Sequence, residues 1–216
     1  MAGPQVAVSI LNADLSRLAD TVQEIAAAGA DSIQVDVMDG HFVPNLALGP
    51  QVCTAVAAHT TLPVEVHLMV ERPQQFLGAF AEAGATYLIG HIEAIDDPTE
   101  FAEAVRKLGK RPGFAINPET PPDRLIPHLA QADLVVVMGI HPGAGGQTFM
   151  PSTLATLRRL RAARSGPRPA LQLDGGVNDG TVQQIVEAGA GAVIGGSFVF
   201  RHRQGVAAAI AELKRA

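Results

Sequence analysis

Along the chain, short runs of β-branched and aliphatic residues alternate with longer segments in which Ala, Leu and Glu return at helical spacing. Eight runs begin near Val6, Ser32, Pro63, Tyr87, Arg111, Asp133, Ala170 and Ala192, a mean spacing of 216/8 = 27 residues. Each precedes a segment long enough for about two to four helical turns. Strands that alternate with helices in this way, with no strand-only region, run parallel and are joined by crossovers. Eight of them fit a closed (β/α)8 TIM barrel, an α/β architecture, better than an open doubly wound sheet. Residues 1–216, 47% of them hydrophobic, are expected to form one such barrel domain.

Ala28-Gly29-Ala30, Ala83-Gly84-Ala85 and Ala188-Gly189-Ala190 form a weak repeat between helical segments and the strands that follow. Glycine there can take the left-handed conformation that closes a helix, so these positions read as architecture. Pro121-Pro122 and Gly166-Pro167-Arg168-Pro169 read as punctuation between elements.

Within the strands the alternation of faces exposes an oddity. In the second, Ile33, Val35 and Val37 share one side while Gln34, Asp36 and Met38 share the other. The third opposes Val64, Val66 and Leu68 to Glu65, His67 and Met69, and the seventh opposes Leu171 and Leu173 to Gln172 and Asp174. Buried charge is costly unless paired or bound to metal. A structural ion pair or a solvated strand end would account for any one of these residues. Three strands ending on the same theme favour a site at the carboxyl face of the barrel, where enzymes of this fold place their chemistry. His91 ends the fourth strand, where it either touches a substrate or is a hydrogen-bonded core residue. Asp39 and His41 read as turn residues, and His59, His128 and His202 as surface.

Three glycine clusters follow the last three strands: HPGAGGQTF at 141–149, Asp174-Gly175-Gly176, and Gly195-Gly196-Ser197. Glycine lets backbone N–H groups approach an anion, and the loops after the seventh and eighth strands form the frequent phosphate site of this fold. Ordinary tight turns are the competing explanation. No Lys or Arg falls inside these loops, so the backbone N–H groups are expected to hold the phosphate.

A formal charge of −5 gives no overall attraction for nucleic acid or an anionic membrane. The lone Cys53 excludes an intrachain disulfide and points to a reducing compartment. No apolar run approaches the roughly 20 residues of a membrane span, and the amino terminus lacks the pattern of a signal peptide. A cytoplasmic protein with a small-molecule partner is expected.

The sequence resembles the ribulose-phosphate 3-epimerase family along essentially its full length. The resemblance rests on VSILNADLSRL at 8–18, VDVMDGHFVPNL at 35–46, VHLMVERP at 66–73, NPETP at 117–121, HPGAGGQTF at 141–149, LDGGVN at 173–178 and GGSFVF at 195–200. Lyase and decarboxylase relatives share the late glycine loops, but DVMDGHFVPN combined with VHLM points to the epimerases. The resemblance implies a ribulose-phosphate-binding type of barrel that interconverts D-ribulose 5-phosphate and D-xylulose 5-phosphate at C3, as a homo-oligomer, without an organic cofactor. It implies that Asp36 and Asp174 are the catalytic proton carriers and that a divalent metal, zinc by resemblance, is held by Asp36, His67, Asp174 and one further histidine. Ser9 and His67 would contact substrate, Met38, Met69 and Met138 would line the site, and Gly143, Ala144, Gly145, Gly146, Gly175, Gly176, Gly196 and Ser197 would cradle the phosphate.

Two positions depart from the family pattern. The further histidine ligand falls at Gln34, whose amide oxygen is a harder and weaker zinc ligand than imidazole, so manganese, iron or magnesium become candidates. The family's Asn-Pro-Gly-Phe-Gly-Gly-Gln here reads His141-Pro142-Gly143-Ala144-Gly145-Gly146-Gln147, and Ala144 in place of Phe widens the pocket. An epimerase of another ketose phosphate, such as allulose 6-phosphate, and a noncatalytic sugar-phosphate-binding barrel are the competing expectations.

Overall fold

The computed structural model describes residues 3–166 and 169–216. Pro167 and Arg168, half of the expected punctuation before the seventh strand, lie outside the described residues. Eight parallel strands close into a ring: β1 (Gln5–Ser9), β2 (Ser32–Asp39), β3 (Val64–Met69), β4 (Tyr87–His91), β5 (Arg111–Ile116), β6 (Leu134–Met138), β7 (Ala170–Asp174) and β8 (Ala192–Gly195). Each pairs with its neighbours in chain order, and β1 joins both β8 and β2, leaving no free edge in the ring. All eight begin within one residue of the positions read from the sequence. The polar-ended strands β2, β3 and β7 and the glycine loops after β6, β7 and β8 therefore share one rim.

Six of the seven crossovers carry α-helices, α1 (Leu18–Ala27), α2 (Pro50–Ala58), α3 (Leu77–Glu82), α4 (Pro98–Lys107), α5 (Thr153–Ala163) and α6 (Val182–Ala188), and after β8 come α7 (Ser197–Arg201) and α8 (Val206–Leu213). The start of α4 shows how the sequence builds them. Asp97 accepts hydrogen bonds from the N–H groups of Thr99 and Glu100, and Pro98 occupies the first turn, where a missing N–H costs nothing. The repeat glycines Gly29, Gly84 and Gly189 have φ of +83°, +98° and +118°, the left-handed state expected of them.

Two features differ from the pattern read in the sequence. After β5 the crossover is made of 3-10 turns, Pro122–Arg124 and Ile126–Gln131, because Pro121, Pro122 and Pro127 remove donors that a longer α-helix would need. A two-residue strand, Leu46–Ala47, also returns antiparallel against Met38 and Asp39 at the end of β2. Asp39 closes that turn by accepting from the N–H groups of His41, Phe42 and Glu71, as its reading as a turn residue requires.

The period-2 alternation separates two cores. Outward residues such as Val6, Val8, Ile33, Val35, Val66 and Leu88 pack against the helices in one large cluster. Inward residues Ala7, Ile89, Ala115, Leu134, Val136, Met138 and Ile194 fill the barrel itself. The inward face of β2, β3 and β7 breaks this apolar filling with Gln34, Asp36, Glu65, His67, Gln172 and Asp174, five of them at most 5% exposed.

Candidate active site

Register brings the polar inward residues together. In the β2–β3 ladder Asp36 lies opposite His67 and Gln34 opposite Glu65, while Ser9 at the end of β1 pairs with Gln34. Asp36 collects three bonds: Ser9 Oγ donates to Oδ2 at 2.5 Å, Gln34 Nε2 donates to Oδ1 at 2.8 Å, and His67 Nδ1 stands 3.0 Å from Oδ1. Asp174 is drawn to the same point from β7. Gln34 Nε2 also donates to its Oδ2 at 2.9 Å, and His67 Nδ1 lies 3.6 Å from that oxygen. One amide nitrogen and one imidazole thus span two carboxylates.

The electrostatics follow from this crowding. Burial alone would depress the His67 pKa, but hydrogen bonds and charge from Asp174 and Asp36 outweigh it and lift the imidazole to about 9. Burial, reinforced by the Asp36 charge, raises the Asp174 carboxyl above the ordinary carboxylate range. Below the pair, Gln172 Nε2 donates to Glu65 Oε1 at 3.2 Å across the barrel, and burial pushes the Glu65 carboxyl upward. These two residues form the floor of the site and do not line its opening.

Above the carboxylates opens a cleft of about 510 Å³, mouth included, walled by Ser9, Asp36, Met38, Met69, Met138 and Asp174 and roofed by Gly143, Ala144, Gly145, Gly146, Gly175, Gly176, Gly196 and Ser197. Every residue expected at the site reaches this cleft except Gln34 and His67, which lie behind the carboxylates. The roof demands glycine. At Gly176, φ is +70° and an added Cβ would stand 2.6 Å from Phe149 Cα, so neither the backbone conformation nor the space admits a side chain. The 141–149 loop is pinned by Gln147 Nε2, which donates to the carbonyls of His141 and Ala144, and by Asn45 Nδ2, which donates to that of Gly143.

With this geometry in view, comparison with known proteins is decisive. The sequence model of the Ribulose-phosphate 3 epimerase family matches residues 5–200. A ribulose-phosphate 3-epimerase of Mycobacterium tuberculosis is 41% identical over 215 residues, covering 99% of this chain and 93% of the relative. The chain belongs to the ribulose-phosphate 3-epimerase family. Its counterpart in Bacillus subtilis is 40% identical over 199 residues, 91% of this chain and 92% of that protein. Among solved structures, a mutant tryptophan synthase alpha-subunit from Pyrococcus furiosus aligns over 100% of both chains with a TM-score of 0.72 at 15% identity, which shows the shared barrel fold alone.

Epimerases of this family depend on a metal, and the residues present fit one. Asp36, His67 and Asp174 each offer a ligand atom, all within 4.8 Å of one another. The donor set, two carboxylates and an imidazole, is that of a divalent cation site. Gln34 Oε1 is buried with no hydrogen-bond partner, an unspent acceptor beside the carboxylates. Its amide presents nitrogen to two anions here, the only orientation that satisfies them without a cation.

Two residues near the epimerase site escaped the sequence pattern. Arg201 lies outside the glycine loops, yet its Nη1 comes within 3.6 Å of where a Cβ on Gly146 would stand, so a cation does flank the roof. The signal available was helical spacing, since Arg201 falls four residues after Ser197 on α7. Glu93, two residues past His91, is the second. His91 itself is fully buried behind His67 and does not line the cleft. His59 is exposed as expected, whereas His202 is largely covered and held 3.0 Å from Glu212.

Proposed function

We propose that this chain interconverts D-ribulose 5-phosphate and D-xylulose 5-phosphate by moving a proton at C3. The observation that carries this reading is the convergence of Asp36 and Asp174, from strands separated in the ring by β8 and β1, on one cleft roofed by glycine loops. The roof's backbone N–H groups hold the phosphate and set the distance to C3. One carboxylate accepts the C3 proton while the other returns a proton to the opposite face, inverting that centre. The two carboxylates exchange these roles in the reverse direction. Met38, Met69 and Met138 exclude water around the reacting carbon. A divalent cation held by Asp36, His67 and Asp174, with Gln34 beside them, would supply positive charge where the reaction develops negative charge. The oxygen-rich set lowers the preference for zinc that an imidazole at position 34 would confer, favouring manganese, iron or magnesium. A cytoplasmic homo-oligomer is proposed on the resemblance alone.

Reaction in deuterium oxide tests the assignment. Both pentulose phosphates should gain deuterium at C3. Substrate binding without label would make the chain a binding barrel, and label in allulose 6-phosphate alone would move the assignment to a hexulose phosphate, for which Ala144 leaves room. A second measurement addresses Arg201. Arg201→Gln should raise KM roughly tenfold with kcat little changed, because a charge near the phosphate acts equally on ground and transition states. An unchanged KM would return the whole task to the backbone.

A further inference from the structure

Behind the candidate metal ligands, and outside the cleft, runs a buried chain of hydrogen bonds that the proton-transfer reading leaves unused. His67 Nε2 is 2.9 Å from His91 Nε2, and His91 Nδ1 is 3.3 Å from Glu93 Oε2. Glu93 is in turn fixed by the N–H of Asn117, which donates to its Oε1 at 2.9 Å. Both imidazoles are fully buried, out of reach of bulk solvent. The two rings are within 16° of parallel with centroids 5.0 Å apart. Given nitrogens 2.9 Å apart, that separation places them nearly in one plane, edge to edge, with an N–H of one directed at the lone pair of the other. Phe42 packs on His91 at 4.7 Å between centroids and keeps the ring from turning.

Hydrogen-bond arithmetic then decides where the protons are. An ionised carboxylate only accepts, so the nitrogen facing Glu93 must carry hydrogen. If His91 has a single ring proton, it is on Nδ1, and its Nε2 is an acceptor. The facing Nε2 of His67 must therefore be the donor, so Nδ1 is the nitrogen of His67 that a cation can take, by displacing the proton that Nδ1 gives to Asp36 when no cation is bound. The opposite arrangement, with a proton on His91 Nε2, would force the His67 proton onto Nδ1 and close that nitrogen to a cation.

We propose that Glu93, acting through His91, is a positioning residue that holds a proton on His67 Nε2 and so makes Nδ1 the nitrogen that exchanges its proton for a metal ion held by Asp36 and Asp174. The pattern is that of a ligating histidine whose second nitrogen is held by an outer partner, here extended by one more imidazole before the carboxylate is reached. Its consequence for metal affinity rests on the cation site proposed above. The placement of protons along Glu93, His91 and His67 Nε2 does not.

The first test uses the metal-free protein labelled with 15N in its histidines. Nitrogen NMR should show His91 protonated at Nδ1 and bare at Nε2, with His67 protonated at Nε2. A proton on His91 Nε2 overturns the proposal. The second test is manganese affinity by chelator competition. Glu93→Gln, which keeps the shape but loses the charge and can present either amide atom to His91, should weaken binding about 10- to 100-fold. His91→Gln offers an acceptor oxygen near the place of Nε2 and should retain most of the affinity, whereas His91→Leu strands the His67 donor and should not. Glu93→Gln with wild-type affinity, or equal affinity in the two His91 variants, would also overturn it. If the wild type itself binds no manganese, the cation reading fails while the nitrogen spectrum still decides the placement of protons. If a variant does not fold, the same spectrum of the wild type decides.

Discussion

Asp174→Asn is expected to yield a folded barrel whose turnover of ribulose 5-phosphate has dropped about a thousandfold, within the range that a positioned acid or base contributes. The amide occupies the same volume and still offers one oxygen to Gln34 Nε2, so the bond now 2.9 Å long has a substitute acceptor. What it cannot do is exchange a proton with C3, and deuterium incorporation there should vanish together with turnover. Asp36→Asn should be as damaging to rate but less benign for the fold. Asp36 accepts from Ser9 and Gln34 and faces His67, so an amide with a single acceptor oxygen leaves at least one buried group without its partner. A loss of about 1–3 kcal/mol in unfolding free energy is expected for that variant. Thermal melting separates the two effects, and folded variants with near-normal turnover would remove this pair from the chemistry.

Gln34→His should raise zinc affinity at least tenfold, about 1.4 kcal/mol. The wild-type amide is fully buried, bridges Asp36 and Asp174 through its nitrogen, and keeps an oxygen with no partner. Imidazole replaces a neutral oxygen donor with the softer nitrogen that distinguishes zinc sites from oxygen-rich ones. Manganese affinity should change less, so the ratio between the two metals is the sharper readout. Equal zinc affinity in both proteins would mean that position 34 serves only to hydrogen-bond the carboxylates and lies outside the metal's coordination.

The sequence displayed the parity of this site before its geometry. Alternation in β2, β3 and β7 placed Asp36, His67 and Asp174 on the inward side, because side-chain direction in a strand depends only on counting by two. Counting does not supply register between strands, and register is what sets Asp36 opposite His67 and lets Gln34 reach Asp174. Arg201 and Glu93 were hidden for the same reason. Neither belongs to a strand: Glu93 meets His91 through the placement of a loop, and Arg201 reaches the roof from the end of α7, where its spacing from Ser197 says nothing of Gly146. The 3-10 crossover after β5 was obscured differently: its spacing suits a helix, but prolines forbid the longer hydrogen-bond ladder.

Ring closure has a bearing on when this chain becomes competent. Gln34 and Asp174 are 140 residues apart, and their strands meet only through β8 and β1, whose pairings with each other and with β2 complete the circle. An open intermediate holding β1 through β6 would possess Asp36, His67 and most of the apolar interior, yet lack the second carboxylate and two of the three glycine loops. Long-range contacts of this kind form late and slowly. Regained turnover during refolding therefore times the last seam of the barrel, whereas helical signal times only its staves.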